Sequence, residues 1–125
     1  MIHGVGNDIV EIARIEALFK RYPQRFLKRI YTPFEREYCL KKKFPSSHLA
    51  ARFAAKEAIV KALGTGFSNG LNWLDIEVRN DPLGKPIATL SPYAKALFGD
   101  CHIHISMSHS RDYATAIAIC IGKRT

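Results

Sequence analysis

No stretch of this 125-residue chain approaches the run of about 18 apolar residues that a membrane-spanning helix needs. The opening Met1-Ile2-His3-Gly4 lacks the basic start and long apolar segment of a secretory leader, so none is expected. Cysteine is scarce: Cys39, Cys101 and Cys120 are odd in number and far apart, with no CxxC pair. Neither a disulfide framework nor a zinc knuckle is expected, and a reducing cytosol is the simplest setting. Internal repeats, low-complexity segments and linkers rich in Gly, Ser or Pro are also missing. That leaves one domain over 1–125 with room for one modest core. An extended site on so small a core is expected to borrow walls from a second subunit.

Acidic residues are the minority, 11 against 19 Lys and Arg, for a net charge of +8. The excess bears on partners rather than on the fold: nucleic acid, anionic lipid, a phosphorylated small molecule or an acidic protein. The apolar share of 47% and charged share of 24% are those of an ordinary folded domain.

Residues 2–10 read as a short strand running into a turn. Ile12, Ile15, Leu18 and Phe19 recur at helical spacing, which predicts a helix over 11–21 that Pro23 stops. A short helix follows at 24–29. Thr32-Pro33-Phe34-Glu35 has a cap, a first-turn proline and an acid at the third position, and the helix it opens ends in Lys41-Lys42-Lys43. Ser46 or Ser47 caps a helix over 48–63, closed by Gly64-Thr65-Gly66. Leu74, Ile76 and Val78 alternate with polar residues as a half-buried strand, 80–86 is a turn, and 87–90 is the returning arm. Ser91-Pro92 opens a short helix that Gly99 ends, and 102–109 with 113–121 form a hairpin around Ser110-Arg111-Asp112. The class is α+β: helices in the N-terminal half, one of them long and buried, packed on a small, mainly antiparallel sheet.

The helix over 48–63 is apolar on most sides, with Leu49, Phe53, Val60 and Leu63 on one stripe and Ala51, Ala55, Ala58, Ile59 and Ala62 opposite. Glu57 and Lys61, four apart, share a face flanked by Ala50 and Ala54. The ordinary reading is a solvated Glu–Lys pair. The other is a charged pair on an alanine-lined face that leaves room for a ligand or metal. Arg52 and Lys56 point away from Glu57. In the strand at 102–109, His102, His104, Ser106 and Ser108 lie on one side and Ile103, Ile105 and Met107 on the other. Such a row suits phosphate binding or proton transfer, or it is simply the wet side of a sheet. HxH as a zinc pair lacks two further ligands at a typical spacing. Gly4-Val5-Gly6-Asn7-Asp8 does not complete GxGxxG, because residue 9 is Ile, so a dinucleotide fingerprint fails. Asp8 is then a turn residue or a metal ligand. Arg14 and Arg21 line up along the first helix with Leu18 between them, and Arg25 and Phe26 continue that basic, partly apolar surface.

Together these segments resemble the holo-acyl-carrier-protein synthases, a group of the 4′-phosphopantetheinyl transferases. The resemblance rests on Gly4-Val5-Gly6-Asn7-Asp8-Ile9-Val10 with Arg14-Ile15, on Arg52-Phe53-Ala54-Ala55-Lys56-Glu57-Ala58 with Lys61-Ala62, and on Gly64-Thr65-Gly66. Gly84-Lys85-Pro86 and His104-Ile105-Ser106-Met107-Ser108-His109 complete it. It implies transfer of the phosphopantetheine arm of coenzyme A to a serine of an acidic acyl carrier protein, in fatty acid biosynthesis. It also implies that Asp8 and Glu57 hold Mg2+ and that Lys61 balances phosphate charge. Arg52 and the 41–43 lysines, Lys43 among them, would meet the 3′-phosphate, and Gly64, Gly84, Lys85 and Pro86 would line the coenzyme. His104, Ser106 and His109 would line the pocket, with Glu57 through a water, Glu35 or His104 as the base. Arg14, Leu18, Arg21, Arg25 and Phe26 would grip the carrier protein, and the assembly would be a cytoplasmic homotrimer with sites at subunit boundaries. The rivals are a nucleic-acid-binding module, for which no recognised signature is present, and a coenzyme-A-binding protein without activity. Neither nucleic acid nor membrane is an expected partner.

Overall fold

β1 (Ile2–Glu11) leads directly into α1 (Ile12–Arg21), and α2 (Pro23–Ile30), α3 (Pro33–Leu40) and α4 (Pro45–Leu63) follow before any second strand. A 3-10 turn (Trp73–Asp75) opens the hairpin of β2 (Ile76–Asn80) and β3 (Pro86–Leu90). α5 (Pro92–Phe98) and the hairpin of β4 (Cys101–His109) and β5 (Tyr113–Gly122) complete the chain. The computed structural model describes residues 1–67, 70–99 and 101–122. The class is α+β as the sequence predicts, and the described strands pair antiparallel, in a sheet of order β1-β5-β4 and the β2-β3 hairpin. Among the described residues, no helix is long and apolar enough to cross a membrane.

α4 lies against the three-stranded sheet, and small residues on both surfaces set how close it comes. Ala54, Ala55, Ala58 and Ala62 are buried on the helix, and Ala114, Ala116 and Ala118 are buried on β5. On β1 the helix-facing positions are Gly4, Gly6, Asp8 and Val10, which pair with Cys120, Ala118, Ala116 and Ala114. A Cβ added at Gly4 would meet the carbonyl of Ala62, and one at Gly6 the carbonyl of Ala58. Strand and helix therefore touch backbone to backbone, which only glycine permits.

Beneath this layer Lys56 and Glu35 form a wholly buried ion pair at 2.7 Å. Lys56 also donates to the carbonyls of Ile30 (2.6 Å) and Trp73 (3.1 Å). Glu35 accepts from the backbone N–H of Thr32 and of Val78, each at 2.8 Å. The predicted capping box is present, and its acid does more than cap: it ties α3, α4 and β2 together. Burial lowers the Lys56 pKa while Glu35 pulls it back up, so the network is neutral overall and its hydrogen bonds offset the burial of charge.

Three expectations need correction. α4 starts at Pro45, three residues earlier than predicted, with no side-chain cap from Ser46 or Ser47. Proline fits the first turn because its fixed φ is helical and its missing N–H has no partner there in any case. The strand predicted from Leu74 begins at Ile76, because Asn72 accepts from the Leu74 N–H (2.8 Å) and bends 73–75 into the 3-10 turn. Cys101 and Cys120 meet as a disulfide, with Cα atoms 6.1 Å apart. The β4-β5 hairpin folds back between them, so their 19-residue separation was no measure of distance. Cys39 is free and buried.

Candidate active site

Asp8 lies two residues past Gly6 on the helix-facing side of β1, so the glycine contact delivers its carboxylate to α4. Lys61 meets it there: Nζ donates to Asp8 Oδ1 and to the Asn7 carbonyl, both at 3.0 Å. The solvated Glu57–Lys61 pair considered from the sequence does not form, because Lys61 turns to β1 instead. Glu57, one turn back along α4, is half-buried. Burial first, and then the Asp8 carboxylate, push its carboxyl above the ordinary carboxylate range, against the opposing pulls of Lys61 and Arg14. Asp8 and Glu57 together form an all-oxygen donor set, which fits a hard divalent ion such as Mg2+. No cluster of three or more His, Cys, Asp or Glu gathers among the described residues, so water and substrate oxygens would complete such a shell.

A cleft of about 480 Å3 opens beside this centre, lined by Asn7, Asp8, Lys61, Ser106, Ser108 and Thr115 among others. Ser106 thus reaches the cleft as predicted from the sequence. His104 does not line it. It shares with Ser106 the sheet face turned away from α4, but lies two residues further along β4, outside the cleft lining, where its ring meets His102 edge-on at 4.5 Å. Asp8 and His104 therefore project from opposite faces of one sheet.

A second cluster forms around Tyr38. His48 lies nine residues before Glu57 on α4, or about 14 Å at 1.5 Å per residue. The Tyr38 ring has the Arg52 guanidinium 4.2 Å and the Lys42 ammonium 4.4 Å from its centre. The His48 ring lies 6.2 Å from Tyr38 and 5.8 Å from His109. Burial first, then His109, Lys42 and Arg52, lower the His48 pKa and favour its neutral form. Arg52, predicted to meet a phosphate, is only 2% exposed. Its Nε donates to the Val78 carbonyl (3.3 Å) and its Nη2 to Asn80 Oδ1 (2.6 Å). Asn80 in turn donates to the Gly84 carbonyl (3.0 Å), tying the Gly84-Lys85-Pro86 turn to α4. Arg52 therefore holds the turn in place, and an open-site anion would meet Lys42 first.

The other predicted residues divide between surfaces. Lys43 and His109 line a separate cleft of about 730 Å3 with Ser46, Ser47 and Arg111. Lys41 pairs with Glu37 at 3.0 Å. Gly64 is the left-handed C-cap of α4, three residues past Lys61. Glu35, one of three candidate bases, is wholly buried and occupied by Lys56, so it is withdrawn from that role. Leu18, Arg25 and Phe26 line a groove of about 450 Å3 with Tyr22, Arg29, Ile30 and Trp73. Arg21 and Arg25 sit over the Tyr22 ring at 5.3 and 5.5 Å. Arg14 stands apart from that groove, close enough to Glu57 to act on its ionisation.

Sequence reasoning missed Tyr38, His48 and Asn80. The first two carried a signal, since Tyr38 precedes Lys42, and His48 precedes Arg52, by one helical turn. Asn80 carried none, because only the hairpin brings it to Arg52.

The family model described as the 4′-phosphopantetheinyl transferase superfamily matches residues 4–118. A holo-acyl-carrier-protein synthase of Protochlamydia amoebophila is 56% identical over 119 residues, covering 95% of this chain and 98% of the relative. One from Syntrophus aciditrophicus is 48% identical over 127 residues, covering 98% of each. Among solved structures, the holo-acyl-carrier-protein synthase of Neisseria meningitidis superposes with a TM-score of 0.87 at 37% identity, covering 98% of this chain and 100% of that one. The Helicobacter pylori synthase in complex with coenzyme A gives 0.85 at 37% identity, covering 94% and 99%.

Proposed function

This chain belongs to the 4′-phosphopantetheinyl transferase superfamily, in its holo-acyl-carrier-protein synthase group, and we propose that it moves 4′-phosphopantetheine from coenzyme A to a serine hydroxyl of an apo acyl carrier protein. The observation that carries the reading is the backbone contact of Gly4 and Gly6 with α4, which brings Asp8 to Lys61 at the cleft and close enough to Glu57 to disfavour its ionisation. A lone Asp in a turn and a solvated Glu–Lys pair would need no such contact.

In the reaction the serine oxygen bonds to the β-phosphorus of coenzyme A, and the bond from that phosphorus to the bridging oxygen of 3′,5′-ADP breaks. Asp8 and Glu57 would hold Mg2+. When bound, that ion offsets negative charge on the pyrophosphate oxygens, the main lever in phosphoryl transfer. Lys61, tethered by Asp8 and the Asn7 carbonyl, supplies a fixed positive charge beside the leaving group. The nucleotide extends along α4 toward Tyr38, Lys42 and the Gly84-Lys85-Pro86 turn, a span that the about 14 Å between His48 and Glu57 supports. Glu57, through a water, and His104 are the two groups left to take the serine proton.

The chain acts as one domain and assembles as a homotrimer. Support comes from the sheet face turned away from α4, which leaves Val5 (57%), Ile9 (61%) and Ile117 (42%) exposed together. Copies packed by that face would cover it and set His104 at the boundary between one chain and the next. The carrier protein docks at the groove of Leu18, Arg25 and Phe26, whose basic rim suits an acidic helical partner. A cytoplasmic role in fatty acid biosynthesis follows from these substrates.

Mass spectrometry of an apo carrier protein incubated with this chain, coenzyme A and Mg2+ tests the proposal. The expected result is a gain of one phosphopantetheine, abolished by chelator. A carrier protein left unmodified while the chain demonstrably binds coenzyme A overturns it.

A further inference from the structure

Lys56 is the residue before Glu57 on α4, so about 100° of helix rotation turns it away from the carboxylate pair and into the core. Its ammonium is wholly buried and meets three groups: the Glu35 carboxylate (2.7 Å), the Ile30 carbonyl (2.6 Å) and the Trp73 carbonyl (3.1 Å). The transfer chemistry gives this group no part. Glu35 balances its charge, but charge balance does not require the two carbonyls.

Both carbonyls belong to residues that line the groove with Leu18, Arg25 and Phe26. Ile30 ends α2, and Trp73 opens the 3-10 turn. A carbonyl at a helix C-terminus has no intrahelical partner, and a cation is the donor that the helix dipole favours there. α2 rests mainly on α1 and the 3-10 turn. Lys56 therefore joins two walls of the groove to a third element, α4. The Trp73 ring is placed from the same helix, stacked on Phe53 of α4 at 4.8 Å and on Phe67 at 4.1 Å. Tyr31, just past α2, also donates to α4 at the Leu49 carbonyl (2.7 Å), but it ties the α2 side alone.

We propose that Lys56 is a positioning residue for carrier-protein docking, one buried ammonium that holds both walls of the groove against the helix bearing Glu57 and Lys61. The inference rests on the carrier protein docking at that groove. A groove already held in its bound shape binds without the cost of ordering its walls. That cost falls on association and not on the bound complex, so it appears in the KM for carrier protein rather than in kcat. Lys56 touches neither the Asp8–Lys61 pair nor the cleft beside it, so coenzyme A binding is independent of it.

Lys56→Met/Glu35→Leu removes the tie and the ion pair together and strands no charge. Assayed well below its own Tm, it should raise the KM for carrier protein about tenfold, the scale of ordering one or two loosened side chains. Its kcat at saturating carrier and its calorimetric affinity for coenzyme A should stay at the parental values. Trp73 is the only tryptophan, so its fluorescence reports one wall directly. Emission should shift to the red and iodide quenching should rise in the folded double variant. Phe98→Leu, in the core on α5 and outside the groove lining, controls for lost stability and should move neither readout. A parental KM or parental quenching in the double variant, while Arg25→Glu still raises KM, overturns the role of Lys56 alone. The same rise in Phe98→Leu, or an equal loss of coenzyme A affinity in the double variant, also overturns it. A parental KM in Arg25→Glu overturns the docking reading, and this role with it.

Discussion

Gly6→Ala isolates the contact on which the site depends. A Cβ at residue 6 would stand 2.0 Å from the Ala58 carbonyl oxygen, 2.8 Å from the Ala62 nitrogen and 2.9 Å from Lys61 Cβ. Real Cβ atoms essentially never come within 3.0 Å of another heavy atom, so strand and helix must part by about 1 Å. Two of the three opposing atoms are backbone, so no rotamer change relieves the collision. Gly6 does not have a positive φ, so the whole effect is steric rather than conformational. Overpacking of this kind costs about 1–3 kcal/mol, and a backbone collision belongs at the upper end. For a chain of this size that lowers Tm by about 5–15 °C. The same displacement carries Asp8 away from Lys61 and Glu57, and a misplacement of about 1 Å in a reacting centre costs about 100-fold in rate. The assay is the phosphopantetheine transfer rate, measured well below the variant's own Tm so that unfolding does not contribute, with coenzyme A affinity measured alongside. A Gly6→Ala protein with parental Tm and parental rate would refute the packing argument. Rescue by Ala58→Gly would refute it differently, since removing a side chain cannot relieve a clash with a carbonyl.

Glu57→Gln should abolish transfer while leaving Tm at pH 7 equal to or above the parent's. The raised pKa of Glu57 means that its ionised form is disfavoured by folding, so the penalty applies above the folded pKa and fades as pH falls toward the ordinary carboxylate range. Thermal melts from pH 7 to pH 4 should show the two proteins converging, and a gap that widens on acidification would contradict this sign. Lys56→Met strands the Glu35 carboxylate and should cost about 3–5 kcal/mol in urea unfolding, much of it recovered in Lys56→Met/Glu35→Leu. Additive losses in that cycle would show that the two do not act as a pair. Arg25→Glu should raise the KM for carrier protein at least about tenfold, with coenzyme A binding unchanged, if the Leu18–Phe26 groove is the docking face. Equal loss of both would exclude it. Without reductant, alkylation of the unfolded chain should modify Cys39 alone. In the folded chain Cys39 should resist, being buried with its thiol pushed up to about 11 chiefly by burial. Modification of all three cysteines without reductant would show Cys101 and Cys120 as free thiols.

The helices and the two hairpins were legible because their signals are local. Hydrophobic spacing gave α1, the Thr32–Glu35 box gave α3, and Gly64 gave the end of α4. Errors fell where a local cue had a competitor: Pro45 replaced the serines at the start of α4, and Asn72 displaced the start of β2. Within the site, Asp8, Glu57 and Lys61 were named from motif order, whereas the Lys61–Asp8 bond was not, since helical spacing points Lys61 at Glu57. Arg52 and Glu35 were named for chemistry they are too buried to perform.

The order of residue types alone fixed which chemical groups the chain carries and which helix or strand presents each, because capping, periodicity and alternation act over a few residues. Tertiary structure alone decided which of those groups meet. The packing of glycine on alanine between β1 and α4 drew Asp8 to Lys61 across 53 residues, and the register of β5 with β1 and β4 put His104 on the face opposite Asp8. Contacts at that separation depend on which surfaces can approach and in what register, quantities that no local window contains.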